Sequence, residues 1–135
     1  MPKKNTGSRG EDSAVTYLQK YGCTIITRHY CCRHGELDII ALDNDTLCFV
    51  EVKTRHAPVA QDPLVSMTQE KQHRIIAAAQ HYLQHSIIDQ HYEQLRFDVI
   101  PIVLNEASVP IKITWIKDAF TLWVHPFLNP IETSY

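Results

Sequence analysis

The chain has 135 residues, a formal charge of −2, a pI near 6.4 and 44% hydrophobic residues. That length suits one domain with a modest core, and no stretch of about 18 apolar residues offers a membrane span. A balance this close to neutral excludes a protein that grips nucleic acid by bulk positive charge alone.

The first residues, MPKKNTGSRG, lack the apolar core of an export signal. Cys23, Cys31, Cys32 and Cys48 show no C-x-x-C spacing. Both features lead to the expectation of a cytoplasmic protein with reduced thiols and no membrane partner.

Residues 1–7, with Lys3 and Lys4 and no apolar anchor, read as a mobile N-terminal arm, ahead of a folded domain over 8–121 and a C-terminal tail over 122–135. Ser8 to Glu11 fits an S-x-x-E capping box. Ala14, Val15, Leu18 and Tyr21 then recur at helical spacing up to a stop at Gly22. Glu11 shares that apolar stripe.

Cys23–Tyr30 reads as a strand, followed by a short connection. His29, Cys31, Cys32 and His34 cluster there. Neighbouring cysteines point opposite ways on an extended chain and no second ligand pair stands at zinc spacing, so strand-edge residues are the preferred reading and a zinc module the alternative. Arg33 and Arg28 are placed to meet phosphate.

Glu36–Leu42 and Thr46–Lys53 are apolar runs flanking Asn44-Asp45, a hairpin signature. With those two residues as loop centre, paired positions sum to 89, so Leu42 faces Leu47, Ile40 faces Phe49, and Asp38 faces Glu51. Directly opposed residues on one face have Cβ atoms roughly 4.5–5.5 Å apart, and like charges there repel. Lys53, two residues beyond Glu51, shares the face and offsets part of this repulsion. A divalent cation offsets more. Leu37, Ile39, Ala41, Cys48, Val50 and Val52 make the opposite, core face.

His56–Pro63 reads as a surface loop. A long helix follows from about Ser66 to Gln84, with Ile75, Ala78, Ala79 and Tyr82 as its apolar stripe. Lys71 lies on its inward side, either snorkelling along the core or offering a cation to phosphate. His73 and Arg74 face outward. Arg96–Val103 and Ile111–Ile116 read as strands, and Lys117–Phe120 as a closing turn of helix. Asp98 reads as half of a structural ion pair. His56, His73, His81, His85, His91 and His125 read as solvated side chains.

Two acids with a lysine two residues after the second form the residue set of a metal-dependent phosphodiesterase, in which metal and ammonium serve the attacking water and the phosphoryl charge. Asp38 followed by Glu51-Val52-Lys53 resembles the PD-(D/E)XK motif of restriction-endonuclease-like nucleases. More widely, Gly10-Glu11, Tyr17-Leu18, Gly22, GELDIIA at 35–41, FVEVKTR at 49–55, Lys71, RFDVI at 96–100 and 116–120 resemble the YraN family of small bacterial proteins. The resemblance implies a Holliday-junction-resolvase-like version of the nuclease fold. The expected architecture is α/β, a mixed five-stranded sheet flanked by helices in the order α-β-β-β-α-β-β. It further implies that Glu11 leans onto the metal as an extra acid, unless it serves only as a cap.

The leading expectation is a Mg²⁺- or Mn²⁺-dependent endonuclease acting on DNA, including branched or recombination intermediates. Asp38, Glu51 and the Val52 main-chain carbonyl would hold metal, Lys53 would orient water, and Lys71, Arg55, Arg33 and Arg74 would meet nucleic acid. Residues 1–74 hold ten Lys and Arg against nine acids, residues 75–135 three against six, so any basic surface belongs to the first part. The alternative is a non-catalytic DNA-binding or adaptor protein that keeps the nuclease fold, with the apolar C-terminal tail packing on a protein partner. A homodimer is implied only by analogy with junction-resolving relatives.

Overall fold

The computed structural model describes residues 6–59 and 61–121, with side chains from Gly10 onward. Helix α1 (Thr6–Lys20) leads into strands β1 (Thr24–Cys32), β2 (Gly35–Asp43) and β3 (Thr46–His56). A 3-10 turn (Pro63–Ser66) precedes helix α2 (Gln69–His85), and β4 (Gln94–Leu104), β5 (Pro110–Ile113) and β6 (Ile116–Phe120) complete the described chain. The sheet is six-stranded in the order β1-β2-β3-β4-β5, with β6 pairing β4 beside β5. Only β3 and β4 run parallel, and α2 makes the crossover between them. This is the mixed α/β architecture of the restriction-endonuclease-like class, with one strand more than expected.

That extra strand is β6, whose residues 117–120 were expected as a closing turn of helix. Phe120 packs on Phe97, ring centroids 5.1 Å apart, and pairs with it across the β4–β6 ladder, so apolar burial against β4 decides the conformation. The start of α1 also differs. Thr6 and Gly7, assigned to the arm, form its first turn, which leaves Ser8 inside the helix and removes the capping box. The remaining arm, 1–5, and the tail, 122–135, with His125, lie outside the described residues. α2 begins after Thr68, whose hydroxyl accepts from the Lys71 N–H at 3.2 Å, rather than at Ser66.

α1 ends as its sequence requires. Gly22 adopts φ 91°, Cys23 N–H bonds to Leu18 O at 3.0 Å and Gly22 N–H to Gln19 O at 3.0 Å, the paired bonds of a Schellman stop.

Each face of the sheet carries its own core. On one side Ala14 and Leu18 of α1 pack on Ile39, Ala41, Cys48, Val50, Ile100 and Ile102. On the other, Ile75, Ile76, Ala79 and Tyr82 of α2 pack on Ile40, Leu47, Phe49, Phe97 and Val99. Burial on both faces explains why β3 and β4 read as near-continuous apolar runs. Gly10 brings α1 down onto β3, because a Cβ there would collide with the Thr54 side chain.

Candidate active site

The hairpin register is the one that sums to 89: Leu42 pairs with Leu47, Ile40 with Phe49 and Ile39 with Val50. The β2–β3 ladder ends there, while β3 continues along β4 to the His56–Leu104 pair. Asp38 and Glu51 stand at the point where the strands part. The Asp38 carboxylate takes over the next ladder bond, its Oδ2 accepting the Val52 N–H at 2.8 Å. Both main-chain groups of an extended residue point to the same neighbouring strand, so the Val52 carbonyl also turns toward β2.

Strict alternation, which placed Leu37 beside Ile39 on one core face, does not survive across Asp38. Leu37 lies in the core under α2 and Ile39 in the core under α1. The cause lies in the partner strand. Arg28 pairs with Ile39 and Tyr30 with Leu37, and His29 between them adopts φ 54°, a left-handed conformation uncommon for a residue with a Cβ. The pleat turns over at His29 and Asp38 together.

Burial, followed by the neighbouring Glu51 carboxyl, pushes Asp38 up to about 9, toward its protonated form. Lys71 reaches in from α2 with Nζ 3.1 Å from Glu51 Oε2, beside Lys53. Lys53 is only 8% exposed, and burial, then the adjacent Lys71 ammonium, brings it down to about 8. Burial also works against the Lys71 charge, but its neighbours Lys53 and Glu51 carry its pKa upward. Gly35, Glu36, Asp38, Glu51, Lys71, Arg74 and Ile75 line a cleft of about 270 Å³ over this group. Roomier depressions of about 400 Å³ beside α1 and about 410 Å³ beside β5 hold no such carboxylate pair, so chemistry rather than volume identifies the site.

Glu11 points to the edge of this cluster. Its Oε1 lies 3.1 Å from His29 Nε2, and His29 Nδ1 lies 3.3 Å from Glu36 Oε1, so one imidazole bridges two acids. Oε1 is buried with no well-directed hydrogen bond. Burial raises the Glu11 pKa against the pull of His29 and Arg28, and the Glu11 charge adds to the rise at Asp38.

The other predicted contacts divide. Lys71 and Arg74 line the cleft, Arg74 also pairing with Glu70 at 3.2 Å. Arg55 is exposed beyond Lys53, with Nη1 donating to Thr54 O at 3.1 Å. Arg33 is exposed in the β1–β2 turn, its Nε 3.4 Å from His34 Nε2. Arg28 is engaged by Asp12 at 2.8 Å. Asp98 is fully buried and locked by the Arg96 guanidinium at 2.8 and 3.0 Å, Trp115 Nε1 at 2.9 Å and Asp118 N–H at 3.0 Å. That is the structural ion pair its sequence suggested.

Among the described residues, no three His, Cys, Asp or Glu side chains gather into a group that would hold a metal unaided. The Cys/His zinc cluster does not form. For Mg²⁺ or Mn²⁺ the test is different, because these ions keep waters and commonly take only one or two protein carboxylates beside substrate phosphate. Asp38 and Glu51, two carboxylates lining one cleft, fit such a cation.

The sequence reading missed one grouping. His81 and His85, taken as solvated, stack with ring centroids 4.1 Å apart, and Tyr30 hydrogen-bonds His81. Their spacing of four on a helix was the available signal.

The pattern that defines the uncharacterised protein family UPF0102 matches residues 10–102. The UPF0102 protein of Chlorobium chlorochromatii is 48% identical over 122 residues, covering 87% of this chain and 91% of its own. Those of Clostridium perfringens and Clostridium kluyveri are each 39% identical, covering 87% and 88% of this chain and 94% and 96% of their own. The matched region contains α1 from Gly10 onward, all of α2, the parting strands and every cleft residue named above, so the chain belongs to UPF0102, which is the YraN family.

Proposed function

We propose that the protein is a metal-dependent endonuclease that hydrolyses phosphodiester bonds in DNA. The observation that carries this reading is that Asp38 and Glu51 line one cleft where β2 and β3 part, with Lys71 paired to Glu51 and Lys53 beside them. Asp38, Glu51 and the Val52 carbonyl would hold Mg²⁺ or Mn²⁺, which when bound supplies Lewis acidity to the phosphoryl group and acidifies water.

The remaining work falls to the chain itself. Asp38 is oriented by the Val52 N–H. Lys53, brought down to about 8, is in part neutral at physiological pH and so positioned to accept a proton from the attacking water. Lys71 pairs with Glu51, and its ammonium would serve the phosphate were that carboxylate to hold a cation. Glu11, buried behind His29, adds negative charge at the cleft edge.

The test is a panel of duplex, single-stranded, flap and four-way-junction DNA incubated with purified protein and Mn²⁺. Cleavage of at least one substrate, reduced about 100-fold or more by Lys53→Ala and abolished by Asp38→Asn, is the expected result. No cleavage of any substrate, or an unimpaired Lys53→Ala, overturns it. The non-catalytic DNA-binding reading draws on the Lys71–Glu51 ion pair, which closes the site without a cation. It predicts DNA binding with no gain in thermal stability from Mn²⁺.

A further inference from the structure

Beyond the cleft, α2 continues a row of basic side chains. Arg74, His81 and His85 are spaced by seven and four residues and share one helical face. The β1–β2 turn lies against that face, since a Cβ on Gly35 would stand 3.4 Å from Arg74 Cβ. Arg33 and His34 come from the same turn. The His34 ring lies 6.1 Å from that of His81, which in turn stacks on His85.

His85 Nδ1 lies 2.9 Å from the His81 carbonyl, which only accepts, so Nδ1 carries the hydrogen and donates to it. His81 Nδ1 faces the Tyr30 hydroxyl. Burial, then His85, His34 and Arg33, lower the His81 pKa. From β1, Tyr30 and Cys32 face the cluster; from the turn, Arg33 and His34; along α2, Arg74 and, one turn earlier, Glu70. Glu70 is committed to Arg74 at 3.2 Å and Glu36 to His29 at 3.3 Å, so the histidine cluster has no carboxylate counter-charge among these neighbours. A cation would meet Arg33. An anion relieves the repulsion.

The row has the form of a track rather than a pocket. Lys71 to His85 spans about 21 Å at ~1.5 Å per residue, which is roughly six steps of a duplex strand at ~3.4 Å each. Its first members, Lys71 and Arg74, line the cleft, so a polyanion laid along it is led to Asp38 and Glu51. A recessed end of this kind suits a nucleic-acid strand better than a flat anionic membrane.

We propose that Arg33, His34, Arg74, His81 and His85 form a phosphate track that holds the backbone of a nucleic-acid strand leaving the cleft, with a grip that tightens toward acid pH. The proposal rests on the reading of the cleft as a phosphodiester site, yet it is tested without cleavage. In EDTA, binding of a short labelled duplex and of its single strands is followed by fluorescence anisotropy at about pH 5 and about pH 8, a window that extends below the ordinary histidine range because the His81 pKa is lowered.

Wild-type affinity is expected to rise about fivefold or more toward the acid side. His81→Gln/His85→Gln should lose most of that rise. Arg33→Ala/Arg74→Ala, two exposed residues whose loss leaves both cores intact, should weaken binding at both pH values and lower the salt slope by about 1–2. Wild-type behaviour from the arginine pair overturns the track, as does a histidine pair that folds and keeps the full pH response. Binding to phosphatidylserine vesicles in place of DNA also overturns it. If the track variants lose DNA while no substrate is ever cleaved, the nuclease reading fails and the track stands. If cleavage is present and the variants bind normally, the reverse holds.

Discussion

Ionising Asp38 beside Glu51 works against the metal-free fold. Its folded pKa, about 9, lies above the ordinary 3.8, so the stabilisation is complete below about pH 4 and is lost as pH rises toward 9. Lys53 acts in the opposite sense. Its folded pKa of about 8 lies below the ordinary 10.5, so its contribution is present above 10.5 and lost as pH falls through 8. Asp38→Asn keeps an oxygen for the Val52 N–H and removes the charge. It should therefore raise metal-free stability by about 1–3 kcal/mol at pH 8, and by less at pH 5, in paired denaturant titrations. At this scale the sequence was informative about the pairing of Asp38 with Glu51, because a two-residue period and a two-residue turn fix which side chains meet. It did not reveal the reversal at His29, whose left-handed backbone is imposed by contacts from α1 and β2 that no local pattern encodes.

Two close approaches decide how the elements meet. Gly10 lets α1 settle on β3 at Thr54, the residue after Lys53. Gly10→Ala should destabilise by about 1–3 kcal/mol through overpacking, and shift the Lys53 environment with it. The Arg96–Asp98 lock ties β4 to the Trp115 corner and to Asp43 at the β2–β3 turn, Arg96 Nη2 lying 2.9 Å from Asp43 Oδ2. Burial alone would weaken the Arg96 charge, but Asp98 and Asp43 strengthen it; burial also works to raise the Asp43 carboxyl, yet Arg96 and Lys117 hold it below the usual range. Asp98→Ala strands a part-buried guanidinium and two N–H groups, and about 3–5 kcal/mol should be lost in urea unfolding. Both helices and the first five strands were legible from apolar period and turn residues. β6 was not, because a five-residue segment carries too little pattern to outweigh what Phe97 offers it.

For the whole molecule, a cation that binds only the folded chain should stabilise it by mass action. At about a hundredfold excess over its Kd, Mn²⁺ is expected to add ~2.7 kcal/mol, and Asp38→Asn should erase the gain in a thermal-shift series. The near-neutral net charge of −2 conceals a local arrangement, since acids such as Asp43 and Asp98 are consumed by Arg96 while the α2 row faces outward. Composition could report the sum but not which charges cancel. Among the described residues no helix is long and apolar enough to cross a membrane.

The turned-over pleat at Asp38 gives the acid an unusual mounting. With Leu37 anchored beneath one helix and Ile39 beneath the other, the carboxylate is clamped from both flanks of the sheet, like a pin held between two plates. Loosening either plate, by shortening Leu18 on one side or Ile76 on the other, should tilt the pin without touching it, so substitutions far from the cleft would register there first.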